Sequence, residues 1–599
     1  MKKENLLRFY HLRAEEYTKI LGRDKRLIAW LSLIRLLVFA GGILLTIVLY
    51  KVSILAGTIS LLSLMTVFGL LLKYYAGVSW KRRYHTNMLE VNRGELRSIN
   101  EDYSGFGSGS KFSDPSHEFS HDIDMFGPAS VFQSVNRCTT ERGEEMLASW
   151  LLNPYELSTS LNERSEAIRE LSEKTDWRHK FSSLGMMNLT SVSETASFMD
   201  WMKEKPRFNE KFFYRIAPVV FPAITIILFV LWAFSLINIA WFIMMFLANL
   251  FLISLNIGHL NRIHAKLTKK SSYLSVVSLL IEHIIGEKFE AEYLKVQQEE
   301  LEAEGSTAVD NVKRLSRILN YFDSRLNMIM GVLLNGILLW DYHCVISMER
   351  WKKNMSQKVP GWFDIIARLD AINSLACYAN NNPEFVYAEI SDAKQFLKTT
   401  GMGHHLIPSD KRVSNNYFIP GEGAINIITG ANMAGKSTFL RTVVVNMVLA
   451  MVGAPVCADS FVFTPAHIFT SMRTSDSLTE EESYFFAELK RLRRLIDLLN
   501  TEKRTLFILD EILKGTNSKD KSEGSRAFIE KAIKMGGTGL IATHDISLGK
   551  MEHDYPEHVS NSCFEIEIEN GDVRFDYILR EGITSKMNAA LLMKQQGII

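Results

Sequence analysis

Residues 424–451 read AINIITGANMAGKSTFLRTVVVNMVLAM. The first six residues form a short apolar run that is rich in β-branched side chains and bounded by glycine, which predicts a buried strand. Gly430, Gly435, Lys436 and Ser437 then fit the pattern G-x-x-x-x-G-K-[ST], and an apolar-rich helical pattern follows at once. The stretch therefore predicts a strand, a loop and a helix, which is the context that a phosphate-binding P-loop requires.

The residue types of this loop are suited to binding the phosphates of a nucleoside triphosphate. Glycines let backbone N–H groups turn toward phosphate oxygens, and the N-terminus of the following helix adds partial positive charge. We predict that Lys436 contacts the β- and γ-phosphates of ATP and that Ser437 binds Mg²⁺. The predicted nucleotide-binding residues of the loop are Gly430, Asn432, Met433, Ala434, Gly435, Lys436, Ser437 and Thr438.

Two later apolar runs end in polar residues that complete such a site. Residues 505–509 (TLFIL) predict a core strand that ends at Asp510 and Glu511. We expect Asp510 to hold Mg²⁺ and Glu511 to polarise the attacking water. Residues 539–543 predict another core strand, which ends at His544, a residue placed to contact the γ-phosphate or to orient water.

Composition narrows the function classes. The chain has 599 residues, enough for several domains, and a formal net charge of +1, which gives no global electrostatic argument for binding nucleic acid. Its five cysteines are scattered, odd in number and without metal-ligand spacing. They indicate a reducing compartment rather than a disulfide framework.

Apolar residues are concentrated in two regions. Arg35 and Lys51 are the only charged residues in 27–72, and residues 216–258 contain no Asp, Glu, Lys or Arg. Because a helix needs about 20 apolar residues to cross a bilayer, each region is long enough for two spans. The sequence predicts two transmembrane helical hairpins, with turns at Lys51 and near Asn238. The alternative is a pair of buried helices in a soluble core.

Basic residues flank both predicted hairpins on both sides. By the positive-inside rule, both hairpins enter the lipid bilayer from the cytoplasm and return there. No cleavable signal peptide is predicted, because the first apolar run continues into a second span. We therefore expect a multi-pass protein of the bacterial inner-membrane type whose soluble domains are cytoplasmic.

The predicted fold class is an α/β P-loop ATPase domain of the ABC type with an all-α lever and core region and two transmembrane hairpins. Within the all-α region, residues 274–304 and 312–344 are predicted to form extended antiparallel arms. The predicted divisions are an amino-terminal segment (1–26), the first hairpin (27–72), a linker (73–125), the first part of the helical core (126–215), the second hairpin (216–258), the second part of the helical lever and core (259–400) and the ATPase domain (401–599).

Several motifs together resemble the MutS family of DNA mismatch-repair proteins. The resemblance covers roughly residues 126–200 and 305–599 and is most specific in the carboxy-terminal third. The stretches that carry it are VNRCTTERGEEMLASWLLNPYELSTSLNERSEAIREL (135–171), RLDAINSLACYA (368–379), TGANMAGKSTFLR (429–441), SMRTSDSL (471–478), ESYFFAE (482–488), LDEILKGTNSKD (509–520) and ATHD (542–545).

The resemblance implies roles for individual residues. It implies that Lys436 and Ser437 bind phosphate and Mg²⁺, and that His544 is the switch histidine. It also implies that Ser483 is the signature serine, which in this family reaches the nucleotide of the opposite subunit. A homodimer with two ATP sites at its interface would follow, closed by ATP binding and reopened by hydrolysis. DNA is the partner that the family implies.

The chain also departs from the family pattern. The amino-terminal mismatch-reading domain, with its Phe-x-Glu wedge, has no counterpart, and Phe208-Asn209-Glu210 matches it by letters only. The arms within 259–353 are short for a DNA clamp, and the family's terminal helix-turn-helix is not found before Ile599. ATP hydrolysis is therefore better supported than mismatch recognition.

Three functional hypotheses remain. The first is a membrane-anchored MutS-like ATPase that acts on DNA. The second is an ATP-driven membrane remodelling or transport component with no DNA role, although the missing LSGGQ-type signature and the few spans argue against an ordinary ABC transporter. The third, a scaffold with a degenerate site, is disfavoured because Lys436, Ser437, Asp510 and Glu511 are all present.

Overall fold

The computed structural model describes residues 3–188, 193–267, 270–302, 308–391, 395–431, 433–473, 484–501, 504–569 and 572–584. The amino-terminal two thirds are helical and the remainder is mixed α/β. The helices are α1 (Lys3–Val52), α2 (Ile54–Ile99), α3 (Val131–Val135), α4 (Glu141–Leu152), α5 (Leu161–Glu173), α6 (Thr175–Gly185), α7 (Ser193–Lys203), α8 (Phe212–Ala233), α9 (Ile239–Ser254), α10 (Ile257–Leu267), α11 (Lys270–Ile285), α12 (Glu292–Glu302), α13 (Ala308–Asp323), α14 (Met328–Leu338), α15 (Trp340–Met355), α16 (Val359–Asn381), α17 (Lys436–Met451), α18 (Tyr484–Leu499), α19 (Ser518–Lys534), α20 (Ile546–Gly549) and α21 (Met551–Asp554).

The strands form two sheets. One has the order β1-β5-β2-β3 and the other has the order β10-β9-β4-β8-β7-β6. The strands are β1 (Glu389–Ile390), β2 (Leu397–Met402), β3 (Asn415–Ile419), β4 (Ile425–Gly430), β5 (Ser460–Phe463), β6 (His467–Ser471), β7 (Thr505–Asp510), β8 (Thr538–Thr543), β9 (Val559–Glu569) and β10 (Asp572–Glu581).

The second sheet contains the predicted core strands. β4, β7 and β8 are almost entirely buried, and β4 lies between β8 and β9 with both pairings parallel. These strands confirm the predictions for 424–429, 505–509 and 539–543. Because parallel strands end at the same edge of a sheet, the residues after β4, β7 and β8 meet at one place, which is where ligands bind in open α/β sheets.

The first predicted hairpin is an antiparallel pair formed by α1 and α2, but both helices are longer than predicted. They span 50 and 46 residues, and Ser53 separates them, two residues beyond the predicted turn. Residues 3–26 and 73–99 are therefore continuous with the hairpin rather than a separate segment and a linker. Buried Leu6 and Tyr10 explain the extension, since the Tyr10 hydroxyl donates to Asn380 Oδ1 at 2.9 Å and attaches α1 to the helical core.

The second predicted hairpin is the pair α8 and α9, with Asn238 at its turn. The Asn238 side chain accepts a hydrogen bond from Ala240 N at 2.9 Å and so caps α9. Inside the pair, Asn249 Nδ2 donates to Thr225 Oγ1 at 2.9 Å and also to the Gly336 carbonyl at 2.8 Å. The second contact attaches α14 to this hairpin.

The predicted extended arms are wrong. Residues 274–304 divide into α11 and α12, and residues 312–344 divide into α13, α14 and α15. Leu339 takes a left-handed conformation (φ 50°), and α14 and α15 meet there at 80°. A strongly apolar segment, rather than an arm, thus interrupts this region, and the side chains of Met328 and Ile329 on α14 are 81% and 69% exposed.

Many large apolar side chains of α1, α2, α8, α9 and α14 face outward. Among the described residues, α1, α2 and α8 have the length and apolar composition needed to cross a bilayer. The number of such spans rises from three to five if the bent pairs α9–α10 and α14–α15 each count as one.

The helical core joins segments that are distant in sequence. Two of these segments are the helices α5 and α16. Asp370 of α16 accepts hydrogen bonds from the Thr139 and Thr140 amides and, at 2.7 Å, from the Thr140 hydroxyl. Buried Arg164 of α5 donates to the Val452 carbonyl at 3.0 Å and so joins the core to the sheet domain.

The stretch after α2, predicted to be a linker, docks on the sheet domain through two aspartates. Asp122, which is 1% exposed, accepts hydrogen bonds from the Thr470 hydroxyl at 2.5 Å and from the Arg473 amide at 2.9 Å. Asp124 accepts two hydrogen bonds from the Arg473 guanidinium and lies 3.1 Å from Nη1 of Arg441 on α17. These hydrogen bonds and ion pairs hold the segment against the sheet domain.

Candidate functional site

A cavity of about 610 Å³ lies at the carboxyl ends of β4, β7 and β8. Its volume is in the range of small-molecule binding sites, about 300–1,000 Å³. It brings together most of the side chains that the sequence predicts for nucleotide binding. The predicted residues that line it are Met433, Gly435, Lys436, Ser437, Thr438, Asp510, Glu511 and His544.

The turn between β4 and α17 depends on its glycines. Gly435, the N-cap of α17, has φ 106°, which residues with a Cβ rarely adopt. A Cβ at Gly430 would lie 2.8 Å from the backbone oxygen of Phe564 on β9. The turn can therefore pass close to β9 and direct the first turn of α17 toward the cavity, where backbone N–H groups favour an anion.

Lys436 is the first residue of α17 and its side chain is buried. Its Nζ donates to the carbonyls of Gly430 and Ala431 at 2.8 and 2.9 Å, so the ammonium lies inside the turn. Burial lowers the pKa of Lys436 to about 8. The ammonium has three N–H donors, of which the turn occupies two, so one is available to a phosphate oxygen.

Ser437 and Asp510 supply adjacent oxygen ligands. The Ser437 hydroxyl donates to Asp510 Oδ2 at 2.5 Å, which joins the first turn of α17 to the end of β7. A hydroxyl and a carboxylate at this separation are donors of the kind that Mg²⁺ takes alongside phosphate oxygens. The pair fits the predicted magnesium site.

Glu511 is held by neighbours on two elements. Its Oε1 lies 2.7 Å from Nε2 of His544, which follows β8, and its Oε2 lies 3.4 Å from Nζ of Lys521 on α19. The hydrogen bond from His544 is the main cause that lowers the pKa of Glu511 to about 2. The backbone of Glu511 has φ 61°, with its N–H donated to the Ala542 carbonyl at 2.9 Å. A carboxylate fixed in this way stays ionised and can polarise a water molecule.

Glu488 of α18 holds the chain just after Glu511. Its carboxylate accepts the backbone N–H groups of Leu513 and Lys514 at 2.6 and 3.0 Å. The start of α18 is thereby connected to the loop that carries Glu511. Of the predicted site residues, Asn432 and Ser483 lie outside the described residues, and Ser483 directly precedes α18.

The remaining residues of the cavity lining, which we call the far wall, were not predicted. This wall comes from the β2–β3 region and from β9 and β10, and none of its residues belongs to a motif with recognisable spacing. Burial lowers the pKa of one of them, His404, to about 4, so its imidazole is neutral at physiological pH. The residues of this wall include Met402, His404, Ile407, Val413, Asn415, Phe564 and Tyr577.

Comparison with known proteins identifies the sheet domain. Residues 426–594 match the family model of MutS domain V.

The sheet domain of this chain belongs to the MutS domain V family.

The matched range contains Lys436, Ser437, Asp510, Glu511 and His544, so these cavity residues are part of MutS domain V.

Similar proteins share this part of the chain. The DNA mismatch repair protein MutS of Thermotoga neapolitana is 30% identical over 230 residues, which are 38% of this chain and 28% of that protein. The corresponding MutS of Lachnoclostridium phytofermentans is 33% identical over 248 residues, 39% of this chain and 25% of that protein. Human MutS protein homolog 4 is 28% identical over 235 residues, which are 38% of this chain and 25% of that protein. The chain thus spans about a quarter of the length of these relatives.

Proposed function

We propose that this chain is a membrane-anchored, Mg²⁺-dependent ATPase that binds ATP in the cavity of its MutS domain V. One observation carries the proposal. The Ser437–Asp510 and Glu511–His544 pairs face the same cavity as Lys436, at distances of 2.5 and 2.7 Å within the pairs. A cation for phosphate, oxygen ligands for a metal and an ionised carboxylate are together what hydrolysis of a phosphoanhydride requires.

Each side chain has a distinct part in this proposal. Lys436 and the first turn of α17 bind and orient the phosphates. Ser437 and Asp510 would hold Mg²⁺, which supplies positive charge against the phosphate oxygens. Glu511 polarises the attacking water and accepts its proton, and His544 fixes the orientation of that carboxylate.

We further propose a homodimer in which Ser483 reaches the nucleotide of the opposite subunit. Ser483 immediately precedes α18, and Glu488 connects α18 to the loop after Glu511. A contact between Ser483 and the nucleotide of the partner subunit would therefore affect, through α18 and Glu488, the loop that carries Glu511 in the same subunit as Ser483. Mixed dimers of Ser483→Ala and Lys436→Ala chains test this: one intact composite site should restore about half of the turnover per dimer, whereas a site within one subunit would leave the mixture inactive.

The proposed anchor consists of the two predicted hairpins together with α14. The outward faces of the α1–α2 and α8–α9 hairpins are apolar, and α14, which packs on α8–α9, extends the surface of that hairpin through Met328 and Ile329. Large contiguous apolar surfaces of this kind are typical of membrane or partner contacts. Alkaline extraction of cell membranes is the direct test, and release of the chain into the soluble fraction would contradict anchoring.

Two partners are compatible with such an ATPase. DNA is the first, since the similar proteins include DNA mismatch repair proteins. The bilayer itself is the second, as the substrate of a membrane remodeller, and one observation favours it. The region where the family implies long clamp arms contains helices of at most 16 residues in the described parts of 259–355, about 24 Å each at 1.5 Å per residue.

ATP turnover of the solubilised full chain distinguishes these functions. It is measured without DNA and with homoduplex, mismatched and branched DNA, at low and moderate salt, with Glu511→Gln as the inactive control. Stimulation by DNA that survives moderate salt supports the DNA-processing function, and the order of the substrates identifies the target. Turnover that no DNA changes supports the membrane function, and no turnover at all contradicts the proposal.

A further inference from the structure

A second cavity, also of about 610 Å³, lies at the base of the α8–α9 hairpin. Its lining includes Arg215, in the first turn of α8, together with Arg350 and Lys353 near the end of α15. None of these three side chains has an ion pair or hydrogen bond with another described residue. The cavity therefore presents three cationic side chains that have no ion-pair partner among the described residues.

The carboxylates of the same cavity are mostly engaged elsewhere. Buried Glu349 accepts the backbone N–H groups of Arg207, Phe208 and Asn209 at 2.8, 3.0 and 2.7 Å. Glu204 pairs with Lys266. Glu210 is the remaining carboxylate of the lining, and its charge repels an incoming anion. With Lys352 included, the lining holds four cations (Arg215, Arg350, Lys352 and Lys353) and three carboxylates (Glu204, Glu210 and Glu349), so its net charge is positive.

The position of Arg215 indicates which anion is suitable. Phe212, Ile216 and Val219, on the same end of α8, are 75%, 40% and 64% exposed, so apolar surface begins where the cationic cavity ends. A phospholipid has the matching arrangement, with an anionic phosphate directly attached to apolar chains. Basic pockets at the cytoplasmic side of membrane helices bind such headgroups.

We propose that this cavity binds the phosphate group of an anionic phospholipid, with the acyl chains against the start of α8. The site rests on the proposed membrane anchoring and adds to it a defined lipid contact. Because Lys352 of α15 also donates to the Trp201 carbonyl of α7 at 3.1 Å, an occupied site would fasten this part of the helical region to the bilayer surface. The ligand class is an acidic glycerophospholipid such as phosphatidylglycerol.

The test is calorimetric titration of the full chain in neutral detergent with short-chain phosphatidylglycerol. Arg215→Gln and Arg350→Gln should each weaken binding about fivefold, the effect expected of one basic residue near an anionic surface. Glu210→Gln should strengthen it. Arg82→Gln is the matched control, because Arg82 is an exposed cation beyond the apolar part of α2 and outside the cavity. An equal loss with Arg82→Gln would overturn the site in favour of general surface attraction.

Two further titrants identify the source of the phosphate. Short-chain phosphatidylcholine should bind weakly, and glycerol phosphate, which lacks acyl chains, should bind far more weakly than phosphatidylglycerol. Equal binding of glycerol phosphate would overturn the lipid assignment in favour of a soluble phosphate. Flotation of the chain with phosphatidylcholine vesicles tests the anchoring separately. Failure to float contradicts the anchoring. Flotation together with titrations that show no preference for phosphatidylglycerol contradicts the headgroup site alone.

Discussion

Glu511 and His544 form a hydrogen-bonded pair of 2.7 Å between the ends of β7 and β8. The two residues are 33 positions apart in sequence, and the parallel pairing of their strands brings them together. Lys521 contacts the other oxygen of the carboxylate. Both oxygens are thereby oriented before any substrate arrives, which reduces the reorganisation that the reaction would otherwise require.

The first prediction concerns the acid limb of the pH profile. The pKa of Glu511 is about 2, so its carboxylate should remain ionised at every pH where the protein is folded and active. In His544→Ala the main cause of that low pKa is removed, and the pKa should rise toward its ordinary value of about 4.3. We expect turnover of His544→Ala to decrease as the pH falls through about 4.3, a decrease that Glu511 does not cause in the wild type. Lys521→Met, which removes a weaker contributor, should show a smaller decrease, and a profile of His544→Ala that matches the wild type would contradict the pairing.

The second prediction separates ATP binding from hydrolysis. Glu511→Gln keeps the size of the side chain but removes the negative charge that polarises water. Turnover should fall by about 10²- to 10⁴-fold, the contribution typical of a general base, while ATP affinity stays within about twofold of wild type. Single-turnover hydrolysis and binding of a fluorescent ATP analogue measure the two quantities. Turnover at the wild-type rate would remove Glu511 from the mechanism.

Local sequence patterns account for the part of the cavity lining that follows β4, β7 and β8. β4, β7 and β8 are short, buried and apolar, and the residues after each strand follow from where each apolar run ends. Lys436, Ser437, Asp510, Glu511 and His544 were all predictable for this reason, because parallel strands place their ends together. Their meeting at one place follows once the three strands are taken as parallel members of one sheet.

The far wall and the course of residues 312–344 could not be predicted in this way. His404 and Tyr577 meet the cavity only because β2, β3 and β10 pack beside α17, and no local spacing encodes that contact. The predicted arm at 312–344 failed for a related reason. Its helical periodicity is real, but the left-handed backbone of Leu339 and the packing of α14 on α9 are tertiary effects.

The third prediction concerns Lys436 and alkaline pH. Its pKa of about 8 is lowered by burial, so the nucleotide-free ammonium loses its proton as pH rises through about 8. The protonated form is the one that attracts phosphate, and ATP affinity should therefore decrease between pH 7 and pH 9, approaching about tenfold for each pH unit above 8. Equilibrium binding of a fluorescent ATP analogue measures this dependence.

Lys436→Ala is the control for that titration. It should bind ATP more weakly at pH 7 because a positive charge is lost, and its affinity should no longer fall in the same way between pH 7 and pH 9. Wild-type affinity in Lys436→Ala would contradict the phosphate contact. A persistent alkaline decrease in that variant would assign the titration to another group.

The fourth prediction compares Asp122 with Asp124, two neighbouring carboxylates that contact the same arginine. Asp122 is 1% exposed and receives hydrogen bonds from Thr470, Met472 and Arg473, whereas the Asp124 side chain is 47% exposed. Asp122→Ala should lower the free energy of unfolding by about 3–5 kcal/mol, because the buried donors and Arg491, whose Nη2 lies 3.4 Å from Asp122 Oδ2, lose a charged partner. Asp124→Ala should cost about 1 kcal/mol or less, as exposed ion pairs do. Urea unfolding of the solubilised full chain compares the two variants. Equal losses would show that the docked segment after α2 is held by its ion pairs with Arg473 and Arg441 rather than by the buried hydrogen bonds of Asp122.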